Sequence, residues 1–333
     1  SRRLASGQQE DFTADLPTDQ LNVLLLLPPS GENSGNIATE ELTALESLSA
    51  AAELDCLRPS TAAKLREQLS SDPGHYHMVH LDGFTIDGQG INLEDGSGGS
   101  TSIGAAELAG TLTAAQTPVL LINASSTCQL NDVMSFAAGL AQNGVPQVVV
   151  SPLPIAGAGR VLFCENFFKN LSAGTPVAQV VATVRQVMMD HPQRPSATGP
   201  LASWDWTLPM VFESQAYLPT TIVVEETPPL APGQPQPEQE TTGTELPRGG
   251  PYGLIGRHAE LLDLERQFRE TPVVMLSGDV GVGKSELALG LAGWLRKTGG
   301  RPGGVFYSAF EVGAGLERVL HEIGTSLAGL DFA

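Results

Sequence analysis

The stretch Gly278-Asp279-Val280-Gly281-Val282-Gly283-Lys284-Ser285 satisfies G-x-x-x-x-G-K-[ST] at every fixed position. Each residue type suits the chemistry of a bound polyphosphate. Glycines let backbone N–H groups curl around phosphate oxygens with no Cβ in the way. A helix starting at the end of the loop adds partial positive charge. The Lys284 ammonium is expected to reach the β/γ-phosphates, and the Ser285 hydroxyl to hold Mg²⁺. The expected ligands are ATP and Mg²⁺.

Such a loop works only between a strand and a helix, and the flanking residues fit that order. Val273–Leu276 is a short apolar run that predicts a buried parallel strand. Glu286–Arg296 predicts a helix, with Leu287, Leu291 and Leu295 four apart on one face. Upstream, Ala259–Phe268 is helical in pattern. Downstream, Val305–Ala309 suggests a further strand and Gly315–Leu327 a further helix. No convincing apolar run after Lys284 ends in Asp or Glu to supply a second Mg²⁺- or water-positioning acid. Residues 251–333 therefore read as the N-terminal part of a nucleotide-binding domain.

The chain has 333 residues, room for about two domains. Its 37 acidic and 18 basic residues give a net charge of −19, which argues against nonspecific binding to nucleic acid or anionic membranes. No apolar run reaches the roughly 18 residues that span a bilayer, and the residues from Ser1 onward contain no apolar h-region to read as a secretory signal. The three cysteines, Cys56, Cys128 and Cys164, are widely spaced and form no CxxC. They fit reduced thiols in a cytoplasmic protein. His75, His77 and His80 cluster, but on a strand His80 points away from the other two, a poor metal site.

Residues 1–19 are polar and read as a tail. From 20 to 224, apolar runs alternate with helical patterns. Strands are expected at Leu21–Leu27, Tyr76–Leu81, Pro118–Asn123, Gln147–Val150 and, at an edge, Leu208–Phe212. A closing strand at Thr220–Val224 is also expected. Helices are expected at Thr39–Leu54, Ser60–Leu69, Ala105–Ala115, Val133–Gln142, Ala158–Leu171 and Val177–Met189. Residues 85–103, rich in Gly, Asp and Ser, suggest a hairpin or a loop. The fold class is α/β, a parallel-dominated sheet flanked by helices. Residues 225–250 hold six prolines and five glutamates against one arginine, the composition of an extended solvated linker.

Two family resemblances follow. Leu254-Ile255-Gly256-Arg257, then Glu260-Leu261 and the glycine loop, resembles the start of the STAND and AAA-like signalling ATPases, which place this region against the adenine base. Residues 20–213 resemble the CHAT domain, a caspase-like cysteine-protease module. His77 to Phe84 (HMVHLDGF) is similar to the family's strand ending in H-F-x-G-H-G. Leu120 to Ser126 (LLINASS) is similar to its L-N-A-C-x-S strand end. Gly144–Val149 and Phe167–Gly174 are similar to its G-x-x-x-V-V and F-Y-x-x-L-x-x-G segments. The resemblance places the general base at Phe84 and the nucleophile at Ser125, so neither position carries the family's His or Cys. His80 matches the first His of the motif, which is not the catalytic one.

A thiolate mechanism needs a cysteine beside a base. Two relocated arrangements can be written: Cys128 with His80, or a serine mechanism with Asp82 or Asp132 as orienter. Three functions compete. One is an ATP-binding signalling switch carrying an inactive protease-like module, with a protein partner or self-assembly as output. The second is an active protease using relocated residues. The third is an adaptor stabilised by nucleotide.

Overall fold

The computed structural model describes residues 2–3, 12–28, 52–88, 90–97, 99–155, 158–194, 199–222, 246–247, 257–301, 303–308 and 316–328. The chain divides into two compact units, 1–225 and 226–333.

The first unit is built on a seven-stranded sheet. In chain order its strands are β1 (Arg2–Arg3), β2 (Leu21–Leu26), β3 (Ala52–Cys56), β4 (Met78–Phe84), β8 (Val119–Ala124), β9 (Gln147–Ser151) and β12 (Met210–Glu213), arranged β1-β12-β9-β8-β4-β2-β3. From β3 to β9 all neighbours are parallel, and β12 runs antiparallel to β9. Strands β2, β4, β8 and β9 are buried along their whole lengths, as near-continuous apolar runs of a parallel sheet should be. Two small antiparallel ladders complete the β structure: β5 (Ile86–Asp87), β6 (Gly90–Glu94) and β7 (Ser100–Ile103), and the pair β10 (Gln193–Arg194) and β11 (Leu201–Ala202).

Helices cover both faces: α1 (Ala62–Ser71), α2 (Ala105–Ala114), α3 (Leu130–Gln142), α4 (Ala158–Ser172) and α5 (Val177–Asp190). Strand alternation divides the core. Leu24, Leu26, Val79, Leu81, Leu120, Ile122, Val148 and Val150 belong to one cluster with α1, α2 and α3. Leu21, Val23, Met78, Val119, Leu121 and Val149 belong to the other, with Phe163, Phe167 and Phe168 of α4 and Val180, Val181 and Val184 of α5.

Several expectations are corrected. Most of the helix expected over Thr39–Leu54 lies outside the described residues, but Ala52–Leu54 form β3, paired with Leu21–Val23. Ladder hydrogen bonds to a buried strand override the helix preference of Ala, Glu and Leu there. The tail expected at 1–19 contributes Arg2 and Arg3 beside β12. No strand forms at 220–222; instead Ile222 N–H donates to the Ser172 carbonyl at 2.8 Å. The hairpin or loop expected over 85–103 is the three-stranded β5–β6–β7 ladder. The Pro-rich stretch, 246–247 apart, lies outside the described residues.

The second unit contains α6 (His258–Glu270), α7 (Lys284–Lys297) and α8 (Leu316–Ala328). The strand expected at Val273–Leu276 does not form. Val273 and Met275 are 79 % and 83 % exposed. An isolated strand leaves its N–H and C=O groups unpaired, and among the described residues of this unit no strand ladder receives it. Of the strand expected over Val305–Ala309, only a single β-bridge at Val305 forms within 305–308. Among the described residues no helix is long and apolar enough to cross a membrane.

Candidate functional sites

The first site lies at the C-terminal ends of β4 and β8, where an open α/β sheet places its crevice. The strands pair in parallel from Met78↔Val119 through Asp82↔Asn123, and then the register shifts so that Phe84 meets Ala124. Gly83 sits at that shift with φ 76°, a left-handed conformation that favours glycine. The bulge reverses the alternation. Met78 faces the α4/α5 cluster, and the even-numbered His80 and Asp82 share its face by strand period. Phe84, also even-numbered, packs instead in the opposite cluster and is fully buried.

Ser125 follows β8 directly. Its N–H donates to the Phe84 carbonyl at 3.0 Å, so the structure brings the main chains at 84 and 125 together. The Ser125 hydroxyl lies 3.0 Å from Thr127 Oγ1 and accepts from Thr127 N–H at 3.3 Å. Thr127 Oγ1 lies 3.4 Å from Thr85 Oγ1. Among the described residues no imidazole hydrogen-bonds Ser125. Cys128 accepts from Ile86 N–H at 3.1 Å and donates to the Phe84 carbonyl at 3.5 Å. Burial pushes its thiol pKa up. The Cys128–His80 pair is therefore not formed, and both residues are buried.

Below the bulge is a polar network that sequence reading missed. Arg160, from the first turn of α4, donates from one terminal nitrogen to Asp82 Oδ1 at 3.1 Å and Oδ2 at 2.9 Å, and from Nε to the Ile155 carbonyl at 2.8 Å. Both side chains are almost fully buried. Burial pushes the Asp82 carboxyl upward, and the Arg160 guanidinium and the Asn123 amide pull it back. Asn123 Nδ2 lies 3.2 Å from His80 Nε2. An amide nitrogen only donates, so Nε2 accepts and the imidazole is neutral. Burial, then the Arg160 charge, lower the His80 pKa to about 3. The available signal was a carboxylate, Asp82, at the end of an apolar strand run. Asp132 opens α3 as a first-turn acid and does not join this network.

The second site is the glycine loop. Gly278, Gly281 and Gly283 have φ of 150°, 82° and 87°. Lys284 is the first residue of α7 and donates from Nζ to the Gly278 and Asp279 carbonyls at 2.9 and 2.8 Å. The ammonium thus lies across the mouth of the loop, on carbonyls that a phosphate would displace. Val280 and Val282 are exposed. Ser285 stands exposed at the start of α7. The glycines, the ammonium and the hydroxyl fit a Mg²⁺-polyphosphate. Among the described residues no group of three His, Cys, Asp or Glu side chains could hold a metal by itself.

Comparison with known proteins adds three findings. The family model for the CHAT domain matches residues 17–220. No curated protein matches the chain. Among solved structures, the chain is similar to caspase-1 from Spodoptera frugiperda at 9 % identity and a TM-score of 0.38, covering 67 % of this chain and 97 % of that one.

Proposed function

Because residues 17–220 match the CHAT domain and the chain therefore belongs to that family, we propose that it is a member without peptidase activity, coupled to an ATP-binding unit and working as a cytoplasmic signalling protein. Its output is a protein contact, either with a partner or with further copies of itself.

The observation that carries this reading is the pairing of Phe84 and Ser125 at the strand ends that the resemblance assigns to base and nucleophile. Phe84 is wholly in the core, and among the described residues Ser125 hydrogen-bonds the Thr127 hydroxyl and backbone groups. A serine hydroxyl needs a base to become nucleophilic, and among the described residues none hydrogen-bonds it. Cys128 is raised in pKa, the opposite of an activated thiol.

The nucleotide half of the reading is supported by the curled glycine loop and the Lys284 ammonium at its mouth. Mg²⁺-ATP would be held by backbone N–H groups of 278–285, by Lys284 and by the Ser285 hydroxyl. The third phosphate would give the signal by ordering the loop.

The test has two arms on the full chain. A peptide-library cleavage assay should show no hydrolysis above buffer, with or without Mg²⁺-ATP. Cleavage that is abolished by Cys128→Ser would instead establish the relocated protease. Self-association is then followed by light scattering with Mg²⁺-ATP, Mg²⁺-ADP and no nucleotide. A size that depends on the triphosphate supports the switch. Binding without any change of size or partner affinity would reduce the nucleotide to a stabiliser, as in an adaptor.

A further inference from the structure

Helices α6 and α7 lie side by side, both burying leucines: Leu261, Leu262 and Leu264 on α6, Leu287, Leu291 and Leu295 on α7. Two cross-links fix their direction. Near the N-terminal ends, Arg257 meets Val282. Farther along, Trp294 Nε1 donates to the buried Glu265 carboxylate. The helices thus run parallel, with both positive ends at the glycine loop.

Arg257 occupies the position just before α6, and its bonds are specific. One terminal nitrogen donates to the Val282 carbonyl at 2.8 Å, and Nε pairs with Glu260 at 3.3 Å. The same terminal nitrogen would lie only 3.4 Å from a Cβ built on Gly283, a residue at φ 87°. Val282 is the last residue before that left-handed glycine and the phosphate-facing Lys284. A donor on its carbonyl fixes the peptide plane that joins 282 to 283. That plane decides whether the following N–H points into the loop.

We infer that Arg257 is a positioning residue for the phosphate loop: held by Glu260, its guanidinium clamps the Val282 carbonyl and keeps the Gly281–Lys284 backbone curled for a nucleoside triphosphate. This rests on the nucleotide reading above, but it gives Arg257 a different task from the adenine contact that the resemblance implies for its stretch. Lys284 supplies charge to the phosphates, and Arg257 supplies shape to the backbone that cradles them. Loss of the two should therefore differ in kind.

The experiment compares wild type, Arg257→Gln, Arg257→Lys, Glu260→Gln and Lys284→Ala on the full chain. Amide exchange is read first without nucleotide, at Val282 and Leu287, whose N–H groups bond to Asp279 and Gly283 inside the loop and its first helical turn. Mg²⁺-ATP affinity is read second. Arg257→Gln should speed exchange at both amides and weaken ATP about tenfold, the effect of losing one charge-assisted hydrogen bond. Arg257→Lys should restore part of both, and Glu260→Gln should give a smaller change in the same direction. Lys284→Ala should abolish ATP binding; since its ammonium also holds the Gly278 and Asp279 carbonyls, faster exchange should be confined to Val282, with Leu287 little altered. Unchanged exchange in Arg257→Gln overturns the clamp, and faster exchange with unchanged ATP affinity overturns its role in binding. If wild type binds no nucleotide at all, the failure lies with the nucleotide reading, and the positioning role falls with it even where exchange shows the contact to be real.

Discussion

His80 should make the protein sensitive to mild acid, and the size of the effect follows from its surroundings. The ring is 1 % exposed. Asn123 hydrogen-bonds it, and the Arg160 charge acts on it. Its folded pKa is about 3, against 6.5 for a free imidazole. A folded pKa below the unfolded one means that the unfolded chain binds the proton first. Stability is therefore full above about pH 6.5 and is lost as pH falls toward 3. Between pH 7.5 and 5.0 the loss from this one group is about 2 kcal/mol at 1.36 kcal/mol per unit. That figure barely depends on the folded value, because at pH 5 the folded ring is neutral for any pKa near 3 or 4. His77 is lowered by burial too and adds loss of the same sign. A buried carboxyl raised by desolvation, as at Asp82, acts in the opposite sense. The variant comparison separates these. Urea unfolding of wild type and His80→Gln is measured at pH 7.5 and pH 5.0. Whatever the substitution costs at pH 7.5, the pH-dependent loss should be smaller in His80→Gln by about 2 kcal/mol. Equal losses in the two proteins would refute the claim that His80 is buried neutral.

Breaking the buried pair with Arg160→Met should lower stability by about 3–5 kcal/mol, because it strands the Asp82 carboxyl; replacing both as Asp82→Leu/Arg160→Met should recover much of that in the same unfolding assay. Lys284→Ala should abolish binding of a fluorescent ATP analogue and leave the far-ultraviolet circular dichroism unchanged. Equal affinity would refute the phosphate site. From its composition, the 225–248 stretch should be the first cut in limited proteolysis, releasing a stable piece ending near 215–230; early cuts within 20–215 would contradict that boundary. Phe84→His/Ser125→Cys should fold less stably than wild type and show no peptidase activity.

Much of the first unit was legible because buried parallel strands announce themselves as apolar runs. Leu21–Leu26, Val119–Ala124 and Gln147–Ser151 differ from their sequence boundaries by a residue or so. Ala52–Cys56 was not legible: its strand character comes from pairing with Leu21–Leu25, 31 positions away for each partner, which no local pattern records. The glycine loop was legible as a motif, whereas Val273–Leu276 shows that apolar residues make a strand only when another strand accepts their hydrogen bonds. The main chains at 84 and 125 do meet, through the Ser125 N–H and the Phe84 carbonyl. The sequence could not show which way residue 84 points, since that depends on a single register shift at Gly83.

That shift is why restoring the two family residue types should not restore activity. An imidazole at 84 would inherit the direction of the Phe84 side chain, into an apolar cluster that includes Ile86, Leu93 and Val133. It would be smaller than phenyl, leaving space, and it would carry polar nitrogens where the neighbours are hydrocarbon. An unpaired polar group in such a place costs about 1–3 kcal/mol and, for an imidazole, favours the neutral ring. A cysteine at 125 would keep the Thr127 and Thr85 hydroxyls as its surroundings. None of these is basic enough to take its proton. For the pair to work, the bulge at Gly83 would have to be undone so that residue 84 turned to the other face. The face below already belongs to Asp82, Arg160, Asn123 and His80. The ion pair and the bulge thus hold the site in its present form together. A crystal structure of the double variant should show the ring at 84 still in the α1–α3 cluster, with no hydrogen bond to the new thiol. A ring turned toward position 125, accompanied by cleavage, would refute this account.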